Sequence, residues 1–113
     1  MKLMVYVMND VRHLDPFLHR LKESGIKGAT ILDSSGMGRK LAENDDLGFD
    51  LFGSLRSFLD NPRAASKLIL MALEDEQVDV VAKIIDGVAG DLSKPNSGIF
   101  FTVPIEFIKG YKK

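Results

Sequence analysis

The chain has no cysteine, which removes disulfides, thiolate metal sites and cysteine nucleophiles together. It has no surplus of positive charge either. Fifteen Lys and Arg stand against 16 Asp and Glu, for a formal charge of −1, so there is no basic excess to draw the chain to a nucleic-acid backbone. Histidine is scarce: His13 and His19 are the only two. Their spacing of six places them on different faces of a helix, so neither a local metal pair nor a catalytic triad follows. No run approaches the roughly 20 apolar residues that a membrane-spanning helix needs. The apolar N-terminal stretch is of strand length and carries no signal-peptide cleavage pattern. Ser34-Ser35 before Gly36 lacks a nearby base. The acidic run Glu43, Asp45 and Asp46 reads as a solvated loop rather than a hard-cation site. These absences predict a cytoplasmic protein, not integral to a membrane, with no nucleic-acid partner, no metal and no catalytic role.

What remains is ordinary globular material. Its 113 residues, 45% apolar and 27% charged, predict one domain over residues 1–113. Residues 2–8 form a strand in which Leu3, Val5 and Val7 alternate with Met4, Tyr6 and Met8. Both faces are apolar, so this is a central strand covered on two sides. Asp15-Pro16 reads as a helix start, with Asp as N-cap and Pro at the first helical position. Leu14, Phe17, Leu18 and Leu21 then make one helical stripe, and Gly25 stops it. A strand over 29–33 completes a β-α-β unit. A second unit echoes the first: a strand over 67–73, a helix capped by Asp75 with the stripe Val78, Val81, Ala82 and Ile85, and a strand over 99–103. Two such units predict an α+β, ferredoxin-like βαββαβ sandwich, an antiparallel sheet with two helices on one face. Two helices cover one face only, and the first and third strands are apolar on both, so the other face is expected to be buried in a homo-oligomer. Residues 104–113 suit an added edge strand.

Two stretches carry the functional reading. In residues 25–40 a short strand breaks into Gly36-Met37-Gly38, followed by Arg39 and Lys40. Glycines at those positions let successive backbone N–H groups form an anion-binding nest beside two cations. The same residues also read as a plain strand-to-loop turn with solvated charges. Residues 41–66 are longer than a hairpin connection requires. Within them Leu47, Leu51, Leu55, Phe58 and Leu59 share one helical face, with Phe52 nearby, Asp46 as cap and Asn61-Pro62 as stop. This amphipathic segment either packs on its own oligomer or docks into a partner groove. Its acidic polar face argues against a membrane-surface helix.

Gly25-Ile26-Lys27-Gly28-Ala29-Thr30-Ile31 followed by Gly36-Met37-Gly38-Arg39 resembles the P-II nitrogen-regulatory signalling family, whose "GI-x-G-x-T-V" segment leads to "G-F-G-R" at the base of a long loop, the T-loop. Ser97-Gly98-Ile99-Phe100-Phe101-Thr102-Val103-Pro104-Ile105 is similar to that family's B-loop and last strand. The resemblance implies a homotrimer that binds ATP or ADP in clefts between subunits and acts on a protein target such as a transporter or an enzyme. It assigns Thr30, Gly36, Met37, Gly38 and Arg39 to the nucleotide cleft, with Gly98 across the subunit boundary. The chain departs from the family at four places. The B-loop Gly-Asp-Gly-Lys reads Asn96-Ser97-Gly98-Ile99, leaving Lys94 to substitute for the lysine. The paired arginines after the last strand fall at Gly110 and Lys112. The glutamine after "G-F-G-R" is Lys40, and the T-loop tyrosine has no counterpart. The expected function is a P-II-like regulator taking a small anionic effector at Thr30, Gly36–Lys40, Lys94, Gly98 and Lys112, and a partner through Leu47, Leu51, Phe52, Leu55 and Phe58. The alternative is a ligand-free trimeric adaptor.

Overall fold

The computed structural model describes residues 1–35, 66–94 and 98–111. The expectations placed on Gly36, Met37, Gly38, Arg39, Lys40, Leu47, Leu51, Phe52, Leu55, Phe58 and Lys112 lie outside these. The order is β1 (Lys2–Met8), a 3₁₀ turn (Val11–His13), α1 (Leu14–Glu23), β2 (Thr30–Ser34), β3 (Ser66–Leu73), α2 (Asp75–Ala89) and β4 (Gly98–Pro104). The strands form one antiparallel sheet in the order β2-β3-β1-β4. The two doubly apolar strands, β1 and β3, are indeed the central pair. This is the ferredoxin-like α+β arrangement, with both helices on one face.

Alternation along the central strands sorts their side chains. Met4, Tyr6 and Met8 of β1 and Ile69, Met71 and Leu73 of β3 point at the helices and are buried. Phe17 and Leu21 of α1 and Val81, Ile84 and Ile85 of α2 close the core over them. Tyr6 and Phe17 meet edge-to-face, ring centroids 5.3 Å apart, the arrangement favoured by the ring quadrupoles. Burying a side chain such as Phe17 stabilises the fold by about 2–3 kcal/mol. Ile84 joins the core beside Val81 and Ile85, widening the expected stripe by one residue.

The helix ends differ from expectation in instructive ways. Asp10, not Asp15, opens the first helical region: its carboxylate accepts from the Arg12 backbone N–H at 3.1 Å and starts the 3₁₀ turn. Winding is therefore under way before Asp15-Pro16, which falls in the first turn of α1, where a missing N–H costs nothing. Glu74, not Asp75, caps α2. It forms a capping box with Gln77, whose Oε1 accepts from the Glu74 N–H at 2.8 Å, so two orphan donors are satisfied reciprocally. Gly25 stops α1 as expected. At φ +81° it donates to the Lys22 carbonyl at 3.1 Å while Ile26 N–H donates to Leu21 at 3.0 Å, a Schellman closure that tucks Ile26 into the core. After β4 the chain forms no further strand as far as Tyr111; Ile105 N–H bonds the Met1 carbonyl at 3.1 Å.

Among the described residues, no helix packs on the other face of the sheet. The registers Leu3↔Val103, Val5↔Phe101, Val7↔Ile99, Val5↔Leu70 and Leu32↔Leu68 put all these residues on that face. Leu32 is 46% exposed, Ile99 56%, Phe101 43% and Val103 42%. A continuous apolar surface of this kind, roughly several hundred Å², is characteristic of an interface.

Candidate functional site

The topology gathers chemistry at both ends of the sheet. At one end Met8 pairs with both Lys67 and Gly98, and Ser34 pairs with Ser66. The exit from β1, the root of the 36–65 excursion and the start of β4 therefore share one rim. Ser34 and Gly98 sit on opposite edges of the sheet, three strand spacings or roughly 14 Å apart. Gly98 earns its place sterically. Its φ is +116°, and a Cβ there would lie 2.3 Å from the Val7 carbonyl oxygen, so only a residue without a side chain lets β4 meet β1 at this rung.

The charges on this rim are largely paired. Arg12 donates to Asp10 through Nε at 2.9 Å and Nη2 at 2.6 Å. Those hydrogen bonds hold the Asp10 carboxyl well below the usual carboxylate range. Lys67 is bonded to Asp33. Lys94 is exposed in a turn where its N–H donates to the Asp91 carbonyl at 3.3 Å and Ser93 N–H donates to the Asp91 carboxylate at 2.9 Å. Lys94 is four residues before Gly98 in the chain.

Thr30 lies at the far end of β2, four residues or roughly 13 Å from Ser34, and pairs with Leu70 on the open face. It belongs to a groove of about 780 Å³ lined by Gly28, Thr30, Leu70, Ala72, Glu74 and Tyr111, among others. Partial burial, and then the charge and hydrogen bonding of Glu74, push the Tyr111 hydroxyl above its ordinary value. Lys27 and Glu76 complete the groove's charged wall. The set offers mostly acceptors, so it suits the N–H donors of a polar ring better than a bare polyanion. One chain thus brings Gly98 and the root of the Gly36–Lys40 turn to one rim, and places Thr30 at the other.

Glu74, Tyr111 and the Asp10–Arg12 pair were not singled out from the sequence. Glu74-x-x-Gln77 is a capping-box pattern and was legible in principle. The approach of Tyr111 to Glu74 spans 37 positions of sequence and has no local signal. Among the described residues no group of three or more His, Cys, Asp or Glu is placed to hold a metal ion. No described helix is long and apolar enough to cross a membrane.

No curated protein matches the chain. The family description "Nitrogen regulatory protein P-II" matches residues 1–112, nearly the whole sequence, including the glycine turn, both β-α-β units and the last strand. The chain belongs to the P-II nitrogen regulatory protein family.

Proposed function

We propose that the protein is a homotrimeric regulator that binds a small anionic effector, with an adenine nucleotide as first candidate, between subunits and signals to a protein partner through residues 41–66. The observation that carries this reading is the open sheet face. Its row of Leu3, Val5, Val7, Leu32, Ile99, Phe101 and Val103 is apolar and has no cover among the described residues, and three copies related by a rotation axis would bury it from one another. Such an assembly also reconciles the two rims. A ligand held by the Gly36–Lys40 turn of one copy would take further contacts, such as Gly98 or the Thr30 groove, from the next. The anion would be met by backbone N–H groups at Gly36-Met37-Gly38 and by Arg39, with Lys40, Lys94 and Lys112 as further cations; the acceptor-rich groove would suit the base. The effector acts as a switch to the extent that it binds one arrangement of residues 41–66 better than another. The protein acts as a binding partner and not as a catalyst, on the cytoplasmic side of any membrane.

Arg39→Ala tests the site. A charge-assisted hydrogen bond contributes about 1.5–3 kcal/mol, so ATP affinity measured by calorimetry is expected to fall by about tenfold or more. Unchanged affinity would refute the placement of the anion.

A further inference from the structure

The helices cover the central strands and stop short of the β2 edge. Ile31 stands on the helix face, on the same rung as the fully buried Ile69, yet is itself 37% exposed. Between Ile31 and the last turns of α1 runs an open-sided groove of about 660 Å³, within the size range of small-molecule sites. Leu18 and Ile31 line it partly exposed, and Leu21 and Ile26, both buried, lie beneath. A Cβ added at Gly25 or Gly28, also on its wall, would meet nothing within 4 Å, so this is open space and not packed interior.

The charge along the groove has one sign. Among the described residues its charged lining is Lys22 and Lys27, both exposed, and neither is in an ion pair with a described carboxylate. Glu23, next to Lys22 in the chain, is bonded to His19 at 2.7 Å. The lining includes no hydroxyl, amide or carboxylate side chain. A peptide laid here would bring backbone amides that those side chains leave unpaired, at a cost. The recessed floor also keeps a bilayer surface from reaching Leu21 and Ile26. A single hydrocarbon chain with one anionic end meets both conditions, its tail along the apolar floor and its head beside two ammonium groups, whose stems extend over apolar surface.

We infer that the groove between α1 and β2 binds a free fatty-acid-type carboxylate, with Lys22 and Lys27 holding the carboxylate and Leu18, Leu21, Ile26 and Ile31 the chain. The site lies wholly within residues 18–31 and does not depend on the effector reading above. It shares the wall 25–29 with the Thr30 groove, so Leu18 and Ile31 report on this side, and Leu70 and Tyr111 on the other.

Nuclear magnetic resonance titration of the full chain with octanoate, decanoate and decanol, each below its micelle concentration, tests the assignment. Decanoate should saturate at one site per chain and shift the signals of Leu18, Leu21, Ile26 and Ile31. Each added methylene should tighten binding by up to about fourfold. Lys22→Gln and Lys27→Gln should each weaken it about two- to fivefold, the range of an exposed ion pair. Decanol should bind more weakly than decanoate, and Ile31→Glu, a carboxylate placed at an already exposed position, should abolish decanoate binding in a chain whose other signals are unchanged. Decanol bound as tightly as decanoate, or lysine variants of unaltered affinity, overturns the anionic head. Shifts confined to Leu3, Phe101 and Val103, or to Leu70 and Tyr111, place the chain elsewhere and overturn the site. So does a groove that takes up no decanoate, whether it instead accepts an acidic peptide or is sealed by a neighbouring copy.

Discussion

Replacing Phe101 with aspartate is expected to leave the chain folded and to make it monomeric. Phe101 pairs with Val5 in the β1–β4 ladder and projects from the open face, on the side away from Met4, Tyr6 and Phe17, so the core under the helices does not contact the new carboxylate. In an assembly that covers the open face, the change places one charge per copy among Leu3, Val5, Leu70 and Val103. An unpaired buried charge costs several kcal/mol, and symmetry repeats it at every interface. The dissociation constant should rise by about a thousandfold or more, since each 1.4 kcal/mol is a factor of ten. Sedimentation or light scattering should report one chain mass for Phe101→Asp and three for the wild type and for Phe101→Leu, with the far-ultraviolet dichroism of all three alike. A Phe101→Asp protein that stays trimeric would show that the open face is not the interface.

Gly98→Ala carries the second large effect, this time on stability. At φ +116° a residue with a Cβ is strained by about 1–3 kcal/mol. The added atom also meets the Val7 carbonyl oxygen at 2.3 Å, with backbone rather than a yielding side chain on the other side. The first rungs of β4, Met8↔Gly98 and Val7↔Ile99, must separate or shift. The expected destabilisation is about 2–4 kcal/mol, seen as a lower midpoint of urea unfolding at unchanged slope. A loss below about 0.5 kcal/mol, the ordinary surface-mutation range, would mean the strand start relaxes freely. Gly98 would then owe its glycine to ligand approach alone.

The fold was legible where local pattern and tertiary role coincide. Residues 2–8 alternate between two apolar sets, as suits a strand flanked by strands, and β1 is central. The stripe Leu14, Phe17, Leu18, Leu21 marks the buried side of α1, and Gly25 closes it. Legibility failed by a few residues wherever a side chain competes for the backbone. Asp10 opens the helical region five positions before Asp15 because its carboxylate reaches Arg12 N–H. Glu74 displaces Asp75 as cap because Gln77 completes the box. The open face was foreseen from the imbalance between two helices and two faces, an argument about coverage rather than propensity.

Of the expected effector site, residues 36–40 lie outside the described residues, and the geometry of the rest was not legible in the sequence. That Gly98 is needed for its approach to Val7, and that Thr30 shares a groove with Glu74 and Tyr111, depend on ladder register and on a chain end returning across the sheet. Neither has a local signature. The contact between the Ser34 and Ser66 hydroxyls at the end of the β2–β3 ladder joins positions 32 apart in sequence and is equally silent there. The departures from the family pattern at Asn96, Ile99, Gly110 and Lys40 fall on positions that the resemblance assigns to ligand binding, so the proposed effector chemistry is where this member has most room to differ.

Calorimetric titration of nucleotide-stripped protein with ATP, ADP and AMP, each with and without magnesium, tests the central claim most directly. The account predicts saturable binding of at least one of them at one site per subunit, since each cleft is built once per chain. Absence of binding to all three, by a protein that is trimeric and folded, would contradict it.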